Sequence, residues 1–177
     1  MNRQVSHRNK FDKVLLLRCV ILAPLVIAGV LFEISFLDIF GQNPAFTFAY
    51  VTVIGFLLGE KVGGVFGLLA GYLLDALGGV GFSLLPIFYM LAGYLCGYML
   101  NSFLRRNFLS YLVYACVAGL FKVIYTMLII ALHTESFNII KIFTQTMVPE
   151  FFAFIICTPM IYFLCLGIIK ITEKIKR

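Results

Sequence analysis

Tryptophan is absent, histidine occurs twice, and charged side chains make up only 12% of the 177 residues. A soluble domain carries about 25% charged and 45–50% apolar residues. Here the apolar share is 62% and the mean hydropathy is +1.04. One water-surrounded core of this size cannot hide that much apolar side chain, whereas a bilayer accepts it. The histidines, His7 and His133, fall on opposite sides of the expected topology, and no HExxH, GxSxG or carboxylate cluster is present. Nucleophilic and metal-assisted catalysis therefore have no motif to rest on. The chain reads as a non-enzyme without cofactor or metal. Cys19, Cys96, Cys116, Cys157 and Cys165 all lie in apolar runs with no CxxC spacing. They read as small buried hydrophobes, not as a metal site or a disulfide framework.

Acidic residues are also few, 8 against 14 Lys and Arg, for a formal charge of +6. That charge sits in small clusters between apolar runs, not on one basic face or arm, so nucleic acid is not the expected partner. Six apolar spans can be drawn: 15–37, 45–58, 61–77, 82–104, 109–132 and 149–169. A span needs about 20 residues at about 1.5 Å each. The second and third are short, and their joint, "GEKVGG", is tight. One re-entrant hairpin is the alternative for this region. With six spans, Arg3, Arg8, Lys10, Lys13, Arg18, Lys61, Arg105, Arg106, Lys170, Lys174, Lys176 and Arg177 share one side, and Lys141 alone lies on the other. The positive-inside rule places both termini in the cytoplasm. The expectation is an all-α integral membrane protein: one domain over 1–177, a six-helix transmembrane bundle with a basic segment at 1–13 and a basic tail at 170–177. The first apolar run carries Arg18 and shows no small-x-small cleavage site, so it reads as a retained span. Tyr50, Tyr98 and Tyr111 fall near span ends, where tyrosine serves the membrane interface. The segment 133–148 has an apolar rhythm that suits a surface helix or a partner contact, or an ordered loop against the bundle.

Glycine is what the chain has in pattern. In "GEKVGGVFGLLAGYLLDALGG", Gly59, Gly63, Gly67 and Gly71 recur every four residues and Asp75 is the next term. Gly63, Gly67 and Gly71 form a nearly continuous stripe, and Gly93 and Gly97 make a second pair. Small residues four apart let membrane helices approach closely, so the third and fourth spans are expected to pack together. Asp75 suits a cap on the turn at 78–81, a partner contact or, less simply, proton handling. Lys122 lies mid-span, where a lone lysine costs roughly 2.5–3.5 kcal/mol. It should snorkel or pair with Glu33, Asp75 or Glu150. Pro149 and Glu150 suit the first turn of the last helix, and Pro24 and Pro159 are expected to kink theirs.

The run 63–84, "GGVFGLLAGYLLDALGGVGFSL", resembles the signature of the bacterial rod shape-determining protein MreD family. The matching positions are Gly67, Leu68, Leu69, Gly71, Leu74, Asp75, Gly81 and Leu84, then Gly93, Tyr94, Leu95 and Gly97. A short basic loop like Arg105–Arg106, and Pro149, Pro159 and Tyr162 toward the end, also fit. The resemblance implies a non-enzymatic adaptor in the bacterial inner membrane, part of the wall-elongation machinery that maintains cell shape. Its implied partners are the scaffold MreC, the actin-like filament MreB, and the RodA glycan polymerase with its penicillin-binding transpeptidase. Lys122 and the 19 Phe depart from the pattern. Arg105, Arg106, Lys170, Lys174, Lys176 and Arg177 would anchor the cytoplasmic face or meet anionic lipid.

The rival is the substrate-binding subunit of an energy-coupling-factor vitamin transporter, also a small six-span bundle. Its first helix would carry small residues four apart, whereas Ala23 and Ala28 are five apart. Glu33, Asp38, Asp75, Asn138 and Lys141 would then be read as polar groups converging on an outer site.

Overall fold

The computed structural model describes residues 17–35, 45–78, 84–102, 107–133, 144 and 147–175. Among these residues the protein is all-helical, with six main helices. They are α1 (Leu17–Ser35), α2 (Phe46–Leu58), α3 (Glu60–Gly78), α4 (Leu85–Ser102), α5 (Phe108–His133) and α6 (Val148–Ile175). Helices α1, α3, α5 and α6 are long and apolar enough to cross a membrane. The exposed side chains in the helices are largely Leu, Ile, Val, Phe, Met and Tyr, while Glu33, Lys122 and Glu150 are buried. A surface greasier than its own interior is the profile that lipid selects. The protein is a multi-span integral membrane protein.

The elements differ from the sequence-based spans mainly in length. Helix α3 has 19 residues and is a full span, so among the first three helices only α2, with 13, is short. Helix α6 has 28 residues and continues past 169 to Ile175. At about 1.5 Å per residue it is about 42 Å long, against a hydrocarbon core of about 30 Å. It runs through Pro159. Pro159 cannot donate to the carbonyl one turn back, and beside it the Thr158 hydroxyl donates to the Phe154 carbonyl at 2.6 Å.

Helix α2 is the hub. Nine of its 13 residues are buried, in an almost unbroken run from Thr47 to Phe56. It packs on α3, α4, α5 and α6. Against α1 it sets Phe46 edge-on to Phe32 and Tyr50 against Gly29. A helix that is apolar all round must be covered by protein or lipid, and here protein covers most of it. Phe48 shows how this is met: its ring contacts Phe88 and Tyr89 of α4 and Phe154 of α6. In its last turn, Phe56 meets Tyr111 and Tyr162.

Tyr111 corrects one expectation. It is not an interfacial anchor but lies fully buried, its hydroxyl 3.2 Å from the Thr52 hydroxyl. A phenol this deep needs a polar partner, and Thr52 supplies one. Tyr98 is exposed, as an interfacial tyrosine should be, and Tyr50 is half-buried.

Candidate functional site

Two features gather the residues that sequence singled out: a glycine-lined junction of α2, α3 and α4, and a buried charged cluster where α1, α2, α5 and α6 meet.

The junction begins at Gly59, the single residue between α2 and α3. Its φ is +101° and its ψ 173°, a conformation essentially confined to glycine. This reverses the chain without a loop. Helices α3 and α4 then make the most extensive contact in the molecule. Gly63, Gly67 and Gly71 all face α4. A methyl group at Gly67 would collide with the Tyr89 carbonyl, and at Gly63 with that of Gly93. At Gly71 it would sit 2.6 Å from Pro86 Cα. The reciprocal positions on α4 are as tight: Gly93 lies against Gly63, and Gly97 against the backbone of Glu60. Gly55 of α2 completes the junction, with the Gly93 carbonyl against it. Sequence reasoning did not single out Gly55, although it continues the same four-residue spacing upstream of Gly59.

The charged cluster follows from the shortness of α2. Its first residues lie inside the bundle: Ala45 and Thr47 are fully buried. A buried helix N-terminus must find acceptors for its free N–H groups. Ala45, in the left-handed region at φ 56°, provides no side-chain cap. Instead Glu33 reaches across from α1, and its Oε2 accepts the Thr47 N–H at 2.7 Å. Glu33 is only 2% exposed. Sequence offered Glu33 as a partner for Lys122 or as a polar group of an outer site; the missing cap residue before Phe46 was the available signal for this role.

Lys122 pairs with Glu150. Its Nζ lies 2.8 Å from Glu150 Oε1, joining α5 to the first turn of α6, and both residues are 4% exposed. The approach is too oblique for a hydrogen bond, so the contact is a close ion pair without directed bonding. Lys122 also lies 5.7 Å from the centre of the Phe48 ring, within the reach of a cation–π contact. Glu150 thus serves more than the helix-start role expected of it; Pro149, beside it, is half-buried. Tyr89 packs against the same Phe48 ring.

Asp75 is part of neither feature. It is half-buried on α3, and its Oδ1 is buried without a hydrogen-bond partner. The turn it was expected to cap lies outside the described residues, as do Asp38, Asn138, Lys141, Arg105, Arg106, Lys176, Arg177 and nearly all of the expected surface helix at 133–148. Lys170 is exposed near the end of α6, and Lys174 lies in its last turn. Two apolar grooves open on the flanks. One of about 470 Å³ runs between α4 and α5 over Phe48, and one of about 420 Å³ lies between α1 and α6 over Tyr50. Among the described residues no group of three or more His, Cys, Asp or Glu is placed to hold a metal ion.

Comparisons with protein-family models, curated proteins and solved structures find no match.

Proposed function

We propose that the protein is an adaptor of the MreD type in the bacterial inner membrane, joining an MreC-like scaffold, an MreB-like filament and the glycan polymerase–transpeptidase pair. The observation that carries this reading is the use made of the segment resembling that family. Its glycines do not line a pore or a substrate path; they weld α3 to α4 at backbone contact. Rigid helix pairs suit a protein that holds partners in place. Asp75 stands at the outer end of that weld without a described partner for its Oδ1, which leaves it suited to a contact with another chain. In this reading Lys170 and the basic tail anchor the cytoplasmic face.

The second reading, a vitamin-binding subunit, is favoured by one observation: Glu33, Lys122 and Glu150 are all buried in the interior, the last two as an ion pair. A pull-down in mild detergent from native membranes separates the two. Recovery of an MreC-like scaffold and wall-synthesis enzymes, reduced by Asp75→Ala at unchanged protein level, is the expected result. Recovery of two ATPases with a transmembrane coupling subunit would replace it with the transporter reading.

A further inference from the structure

Helices α4 and α5 both pack on α2 but hardly on each other; α5 turns instead to α6. They are tied side by side by single contacts. The Tyr114 hydroxyl donates to the Ala92 carbonyl at 2.7 Å, and Phe88 stacks on Tyr125. Between them opens the groove of about 470 Å³. Its floor is Phe48 of α2 with Ala92 and Ala118, all buried. Its lips are Leu91, Leu95, Val113 and Val117, all exposed on the flank of the molecule. Along α4 it runs from Phe88 to Met99, a rise of about 16 Å. The sequence makes the groove by setting two alanines between bulky neighbours.

The groove is continuous with the apolar surface that this membrane protein turns to lipid. Apolar cavities stay dry, so hydrocarbon fills it. Either a lipid tail or the side chains of another membrane helix could supply that hydrocarbon, and two observations favour the tail. The first is size. A volume of about 470 Å³ over that length is a mean section of about 30 Å², whereas a helix about 10 Å across has about 80 Å². The second is selectivity. Lipid tails are as apolar as leucine, so a membrane helix displaces them only through small-residue contacts or interhelical hydrogen bonds. The lips are bulky, and the groove's phenol, Tyr114, already has its acceptor. The glycines of α4, Gly93 and Gly97, lie against α3. The groove thus offers a foreign helix nothing that it does not offer a tail.

We propose that this groove is a specific site for one acyl chain of a membrane phospholipid, held lengthwise between α4 and α5 against Phe48. The chain supplies the packing that the two helices do not give each other and completes that side of the bundle. This inference does not rest on the adaptor reading and survives its failure.

The test uses the full chain in vesicles of phosphatidylethanolamine and phosphatidylglycerol, doped with a phospholipid that carries a diazirine in mid-chain. Adducts formed on illumination are mapped by peptide mass spectrometry, and native mass spectrometry after detergent extraction counts the lipids retained. The expected result is one phospholipid per chain, with labelling of Leu91, Leu95, Val113 and Val117 several-fold above that of Leu109, Leu120 and Ile124, which are exposed outside the groove. Ala118→Leu fills the floor and should abolish both the retained lipid and the excess labelling. Should that variant fail to fold, Val117→Trp at the lip makes the same test. Leu120→Trp, off the groove, should change neither. Even labelling of all exposed positions with no retained lipid overturns the site. So does a folded groove variant that holds lipid as the unmodified chain does, or an equal loss from Leu120→Trp. A photoreactive phenylalanine analogue in place of Leu95, illuminated in native membranes, should form a lipid adduct; a protein adduct there would give the groove to a partner's helix and overturn the proposal.

Discussion

At the scale of single residues, the costliest is Lys122. Its expense was legible from sequence, because a lysine inside an apolar run must find a partner or reach water. Which of three carboxylates it would find was not legible, since that depends on how α5 and α6 pack. The structure selects Glu150. Breaking such a buried pair from one side costs about 3–5 kcal/mol, because the remaining charge is left without compensation. Replacing both partners by apolar groups of similar size is often close to neutral. Lys122→Met is therefore expected to lower the unfolding temperature strongly in detergent or nanodiscs. Lys122→Met combined with Glu150→Leu should recover most of the loss. A single variant as stable as the unmodified chain would show that the pair carries no net stabilisation. Gly59 makes a different prediction. A methyl group there meets nothing within 4 Å, yet its φ of +101° is hostile to any side chain. Gly59→Ala should cost about 1–3 kcal/mol through backbone strain alone, read as a drop in unfolding temperature without loss of packing volume.

At the scale of helices, α3 holds neighbouring glycines with opposite expectations. At Gly67 an added methyl group strikes the α4 backbone, which cannot move aside as a side chain can. At Gly64 the nearest atom is the Tyr94 Cβ at 3.6 Å, an ordinary contact. Gly67→Ala should therefore cost at least about 1–3 kcal/mol by overpacking, while Gly64→Ala should be neutral or slightly stabilising through better helix propensity. Unfolding curves of the two variants, run side by side, check the contrast; equal effects would show that the helices separate freely. The contact itself was legible, because glycines four apart mark one face. The central place of α2 was not. Its nine buried residues run from Thr47 to Phe56 with only Tyr50 between them and favour no face, so their pattern cannot say which neighbours cover them. The trans cap from Glu33 was hidden for the same reason: it joins residues 14 apart through packing, not through local spacing.

At the scale of the whole molecule, the length of α2 sets how the chain crosses the membrane. Thirteen residues reach about 20 Å, less than the hydrocarbon core of about 30 Å. The deficit is met at the start of the helix, because Ala45 is already inside the protein and Glu33 caps it there. If α2 completes the crossing from that depth, Gly59 and the exposed Lys61 emerge on the side of the basic termini, as the positive-inside rule favours. Leu84, 58% exposed at the start of α4, then lies on the opposite side. Single cysteines at these positions, in a background with the five native cysteines replaced, read this directly with a membrane-impermeant maleimide. Leu84→Cys should react in intact spheroplasts and Lys61→Cys only after permeabilisation. Reaction of Lys61→Cys without permeabilisation would mean that α2 enters and leaves the bilayer on the outer face while α3 crosses, leaving five crossings. The two termini would then lie on opposite faces, with one basic end outside, an arrangement that the spread of lysine and arginine along this chain opposes.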